Sequence, residues 1–170
     1  MTVDTTLAKV DADLRAGRIP VARQRLRGLV ASYPADLTVR RRLAEVYRLY
    51  GEPAEAGRWS CLGADRDPDE TAAFEARYPD PLDRMVAVAW RGPEESAPTA
   101  TARARLAGLR EAASVQAGRP VDWDPVRTRA EHTDGDDSTG TLFCAGLALV
   151  GLVLLGFAVL GAVTFVRWWL

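Results

Sequence analysis

Apolar residues recur at helical spacing along the first 118 positions, and the rhythm is broken at regular places. Leu7, Val10 and Leu14 fall on one face of a helix, as do Val39, Leu43, Val46, Tyr47 and Tyr50 further on. After each stretch a glycine interrupts, and the segments AGRIPVARQRLRGLVASYP and YGEPAEAGRWSCLGADRDP follow. Both read as a glycine turn, a second helix with a small residue facing its neighbour, and a proline that stops it. The punctuation keeps a fixed period, because Gly17, Ala22 and Pro34 return as Gly51, Ala56 and Pro68, each 34 residues later. The pattern predicts two helical hairpins stacked in series.

Downstream the repeat fades while helical signals persist. Asp67-Pro68 and Asp80-Pro81 each place a capping side chain before a proline at the first helical position. They predict helices over 68–78, with Phe74 and Tyr78 inward, and over 81–90, with Leu82, Met85, Val86, Ala89 and Trp90 inward. RGPEESAPTA reads as a loop, and Ala102, Leu106, Leu109 and Ala113 mark a last amphipathic helix ending near Gly118. These helices would cap the apolar face that two hairpins leave bare.

Past Gly118 the pattern changes twice. Residues 119–140 turn to Pro, Asp, Thr and Gly and read as a flexible linker; within it VDWDP, with Trp123, is the one part suited to docking on its own domain or on a partner. From Leu142 to Val166 there follow 25 residues without a charge. At 1.5 Å per residue they reach about 37 Å as a helix, more than the roughly 30 Å hydrocarbon core of a bilayer. A transmembrane helix over 141–170 is therefore expected, with Arg167, Trp168 and Trp169 as interfacial anchors. Cys144, Ala148, Gly151, Ala158 and Ala162 lie in one narrow stripe of that helix, which would let a second span approach and form an oligomer. The sequence MTVDTTLAKV carries no signal-peptide pattern, so the expectation is a tail-anchored, single-pass protein whose N-terminal domain, residues 1–118, is cytoplasmic. Arg127 and Arg129 on the near side, against Arg167 on the far side, bias the orientation the same way.

Composition gains meaning once it is divided along these boundaries. The whole chain has a net charge of -1 and a mean hydropathy of -0.11, the figures of an ordinary soluble protein. Residues 1–60 carry a net charge of +4 and residues 61–140 a net charge of -6. With two cysteines, Cys61 and Cys144, in different parts of the chain and a single histidine, His132, neither a disulfide framework, a zinc site nor a histidine-based catalytic centre is signalled. No phosphate-binding glycine loop is present, and carboxylates such as Asp65, Asp67 and Asp69 read as turn and capping residues. Metal and cofactor are expected to be absent. All but one of the 22 basic residues are arginine, yet the acidic residues offset them and no recognition motif accompanies them, which argues against nucleic acid.

Glycine, alanine and proline at this spacing resemble the tetratricopeptide repeat, over about residues 3–68. Gly17 and Gly51 match the family's turn glycine, Ala22 and Ala56 its helix-contact alanine, Pro34 and Pro68 its terminal proline, and Tyr47 its tyrosine four residues before the turn. The sequence departs from the family at Asp13, which replaces that aromatic in the first repeat, and in lacking the tryptophan and the leucine-glycine pair of the first helix. The run LAEVYRLYGEPAEAGRWSCL also resembles an uncharacterised actinobacterial family of short repeat-like proteins, which implies a bacterial source but no activity; with the apolar span, the expected location is a bacterial cell membrane. The resemblance implies an all-α fold of stacked hairpins with a peptide groove lined by the first helix of each pair. Carried over by offset, the groove positions are Asp4, Leu7, Asp11 and Leu14, then Thr38, Arg41, Glu45 and Arg48. Arg41, Glu45 and Arg48 share a face, on which the arginines would grip a carboxylate of an acidic peptide; alternatively Arg41–Glu45 and Glu45–Arg48 pairs stitch a solvated surface. Arg23, Arg25, Arg27, Arg40, Arg41 and Arg42 form a basic cluster, either facing anionic lipid or simply solvated. The function expected is a non-enzymatic, membrane-anchored adaptor or scaffold for another protein at the cytoplasmic membrane face. The alternative is a small accessory subunit of a membrane complex, held through its transmembrane helix.

Overall fold

Helix boundaries repeat with the same 34-residue interval as the glycines. In the computed structural model, which describes residues 2–123, α1 spans Val3–Arg15 and α3 spans Leu37–Leu49, so both ends recur at that offset. The second helices, α2 (Ile19–Ser32) and α4 (Pro53–Ser60), also start 34 residues apart. Then come α5 (Pro68–Arg77), α6 (Pro81–Val88), a single 3-10 turn at Glu94–Ser96 and α7 (Ala100–Ala117). Among the described residues the fold is all-helical, with no strand.

Local chemistry accounts for most of these boundaries. Gly17 and Gly51 take φ of +71° and +69°, the left-handed conformation that ends a helix cheaply only in glycine. At both turns the same pair of bonds closes the helix: Gly17 N–H donates to Leu14 O and Arg18 N–H to Asp13 O, then Gly51 N–H to Arg48 O and Glu52 N–H to Tyr47 O. Asp36, Asp67 and Asp80 accept backbone N–H groups at the starts of α3, α5 and α6, and Thr99 does so at α7. Pro20, Pro53, Pro68 and Pro81 stand in first turns, where a missing N–H costs nothing.

Burial divides into two apolar clusters. One, built from Val10, Leu26, Val39, Leu43 and Trp59 with Ala22 and Ala56 fully enclosed, fills the space between α1, α2, α3 and α4. The other gathers Leu62, Phe74, Met85, Trp90, Leu106 and Trp123 around α5, α6 and α7. Gly57 sets the approach of α4 to α5: a Cβ there would lie 2.0 Å from the Glu70 carbonyl oxygen.

Several expectations need correction. Pro68 does not stop the second repeat's helix, because α4 has already ended at Ser60; Pro68 opens α5. Arg105 from α7 takes hold of the carbonyls of Cys61 and Gly63 just past that early end, which binds the freed acceptors. Pro34 lies in the loop beyond α2, and α6 closes at Val88, two residues short of Trp90, through Ala89 in a left-handed conformation. The stretch expected to be wholly loop before α7 contains the 3-10 turn. Tyr50, expected in the core, is 36% exposed and lies under the guanidinium of Arg23. Packing also continues past the boundary at 118, since Val121 and Trp123 are buried against the second cluster. No helix among the described residues is long and apolar enough to cross a membrane. The run 142–166, the stripe Cys144, Ala148, Gly151, Ala158 and Ala162, and the anchors Arg167, Trp168 and Trp169 lie outside the described residues, as do His132 and the rest of the expected linker.

Candidate functional site

Side chains on the first helices of the hairpins form a charged belt across α1, α3 and α5. Arg42 donates to Asp11 on α1 and, at 2.8 Å, to Glu45 on its own helix. Arg48 reaches α5, where it meets both carboxylate oxygens of Glu70, one of them at 2.8 Å. That bidentate contact raises the Arg48 pKa above its already high ordinary value. Glu45 and Arg48 are thus engaged by residues other than Arg41, and neither the Arg41–Glu45 nor the Glu45–Arg48 pair forms. Arg41 is exposed and forms no ion pair among the described residues. Exposed pairs of this kind contribute about 0–1 kcal/mol each. They orient the side chains more than they hold the helices.

The basic cluster of the sequence is dispersed by the fold. Arg25 donates to Asp13, which also accepts from Arg18, and Asp13 is only 4% exposed. The hydrogen bonds from Arg18 and then Arg25 hold its carboxyl below the usual carboxylate range. Arg23 covers Tyr50, and Arg42 bridges Asp11 and Glu45. Arg40 turns inward altogether. Of the six arginines, four therefore have partners within the domain.

Arg40 is the least expected of these residues. It is 1% exposed, and its guanidinium donates to Pro34 O at 2.6 Å, Val88 O at 2.8 Å and Ala89 O at 3.3 Å. The indole rings of Trp59 and Trp90 lie 5.7 and 5.9 Å from its carbon centre. Burial pushes its pKa down to about 10, still far enough above neutrality for the group to stay charged. Arg58 reaches the neighbouring carbonyl, Ala87 O, so two arginines terminate α6 where the helix dipole concentrates negative charge. This is structural chemistry: it joins the two apolar clusters, since Trp59 belongs to one and Trp90 to the other.

Groups suited to reaction are few. The Cys61 thiol is buried, and burial raises its pKa, which keeps it protonated. Among the described residues no three metal-ligating side chains come together. Sequence reasoning missed Arg40 because it stands in the run Arg40-Arg41-Arg42, although its spacing to Leu43 and Tyr47 puts it on the buried face of α3.

Residues 1–167 match the model of a family described as a family of unknown function (DUF6584). No curated protein and no solved structure matches.

Proposed function

The chain belongs to the family DUF6584, and we propose that it works as a membrane-anchored helical-repeat adaptor, binding another protein at the cytoplasmic face of the membrane without catalysing a reaction. The observation that carries this reading is the 34-residue register shared by the helices and their turn glycines, which supports tetratricopeptide-like stacking with α1 and α3 as the helices that face a partner. The apolar run 142–166 supports the anchor, being long enough to span and free of charge.

On this reading Arg41 and Arg48 contact an acidic segment of the partner. Arg41 is free to engage at once, while Arg48 exchanges Glu70 for the partner's carboxylate, so the pair acts as a placeholder that keeps the guanidinium extended. The test is crosslinking and recovery of full-length protein in detergent, comparing the wild type with the double variant Arg41→Glu, Arg48→Glu. Loss of specific partners from the variant supports the face, and equal recovery overturns it. Replacing residues 141–170 by an unrelated span separates this reading from that of a subunit held through its membrane helix: partners of the domain survive the swap.

A further inference from the structure

A second concave site lies away from the belt, on the α5, α6 and α7 side of the domain. It encloses about 240 Å³, smaller than the roughly 300–1,000 Å³ of pockets for drug-sized ligands, so its occupant must be small. Three arginines from three separate segments line it: Arg66 from the loop before α5, Arg84 from α6 and Arg105 from α7. We propose that this pocket binds a small phosphate monoester, with the dianionic head among Arg66, Arg84 and Arg105 and the organic group against Phe74 and Leu109.

Charge carries the first part of the argument. Against three guanidiniums the lining holds one carboxylate, Glu75, whose nearest oxygen is 3.9 Å from Arg84 Nη1 and which is half exposed. Asp65 stands close enough to Arg105 to act on it electrostatically but does not line the pocket. The lining therefore carries a net charge of +2, which a phosphate monoester, at about -1.5 to -2 near neutral pH, balances and a monocarboxylate does not. Like charges are crowded here: burial first, and then Arg66, lowers the Arg105 pKa. Arg66 is exposed and forms no ion pair among the described residues.

Unused donors carry the second part. Arg105 spends Nη1 on the carbonyls of Cys61 and Gly63, which anchors the guanidinium at the pocket edge and leaves its other nitrogens outside those bonds. Arg84 donates from Nη2 to Pro79 O, while its Nε is buried with no acceptor. A buried donor left without an acceptor is costly, and an anion in the pocket would relieve that cost.

Gly108 is the third and independent observation. It stands in the middle of the 18-residue α7, where glycine is less favourable than alanine. A Cβ at this position would meet nothing within 4 Å, so no neighbour in the fold requires its absence. Gly108 does line the pocket, and any larger side chain there would occupy the ligand's space.

The experiment is calorimetric titration of the full-length protein in detergent with phenyl phosphate, with inorganic phosphate and benzoate as comparisons. Saturable one-to-one binding of phenyl phosphate is expected, with benzoate and inorganic phosphate each weaker by about tenfold or more, as loss of a charge-assisted contact or of the apolar one implies. Arg66→Gln and Gly108→Leu should each weaken phenyl phosphate by about tenfold or more while far-UV dichroism and the unfolding midpoint show the fold retained. The absence of saturable binding to the wild type overturns the site, as does undiminished binding to Gly108→Leu. Equal affinity for benzoate overturns the assignment of a dianion, and equal affinity for inorganic phosphate overturns that of an ester.

Discussion

Arg40 and Val88 are 48 positions apart in the chain, and Arg40 Nη1 donates to the Val88 carbonyl at 2.8 Å in a fully buried contact. The guanidinium spreads over three carbonyls because its donors form a rigid planar fork, which an ammonium cannot imitate. Arg40→Met keeps most of the volume but orphans these acceptors, each worth about 1–3 kcal/mol if buried. Relief of the buried charge offsets part of that loss, so a net destabilisation of about 2–4 kcal/mol is expected. Arg40→Lys should recover less than half of it. Urea unfolding followed by tryptophan fluorescence measures both, and a neutral Arg40→Met would show that the cap contributes no net stability.

Two glycines make opposite predictions. Gly57→Ala sets a Cβ against the Glu70 carbonyl at 2.0 Å, a distance no side chain tolerates, and backbone must move to relieve it. A loss of about 3 kcal/mol is expected, as for a serious overpacking. Gly108→Ala meets open space in a helix interior and should gain about 0.5–1 kcal/mol. Thermal or urea midpoints of the two variants, measured side by side, give the signs directly.

Legibility in the sequence follows the range of the forces involved. The turns at Gly17 and Gly51 and the caps at Asp67 and Asp80 depend on a few neighbouring residues, so composition at those places announces them. The contact of Gly57 with Glu70 depends on where α5 comes to rest, and nothing local to Gly57 records it. Trp123 sits between two aspartates in a polar stretch, and its burial is decided by Glu94 and Arg110 on distant segments. The belt shows the same limit. Helical spacing puts Arg41, Glu45 and Arg48 on one face, but Glu70, which engages Arg48, enters only through the approach of α5.

Asp13 shows how a departure from a repeat can be stable. Its counterpart in the second hairpin is Tyr47, and the residues 34 positions beyond Arg18 and Arg25 are Glu52 and Trp59, so an ion-paired cluster stands where the other hairpin has aromatic packing. Because the folded-state pKa of Asp13 is lowered, the unfolded chain binds the proton first as pH falls. The stabilisation is complete above the unfolded pKa of about 4 and is lost as pH drops through the lower folded value. Asp13→Asn should therefore be less stable than wild type at pH 7, with the gap narrowing as pH falls below about 4. Urea midpoints at pH 7, 5 and 3 test this, and a constant gap at all three would rule out titration of Asp13 as the cause.

Trp123 carries the domain past Gly118. It is 2% exposed, its indole N–H donates to Glu94 Oε1 at 3.0 Å, and Glu94 also accepts from Arg110 Nε at 2.6 Å. Two residues earlier, Val121 N–H donates to Ser114 Oγ on α7, so backbone and side chain are both fastened. Trp123→Ala removes a buried ring and should cost about 3–5 kcal/mol, whereas Trp123→Phe keeps most of the contact area. The phenylalanine variant loses only the hydrogen bond, and because Arg110 still satisfies Glu94, about 1 kcal/mol is the expected cost. A tether that merely passed over the surface would leave both variants within about 0.5 kcal/mol of wild type. Urea unfolding of the full chain separates these outcomes: the graded loss makes Val121 and Trp123 part of the folded domain rather than of a linker that starts at residue 119.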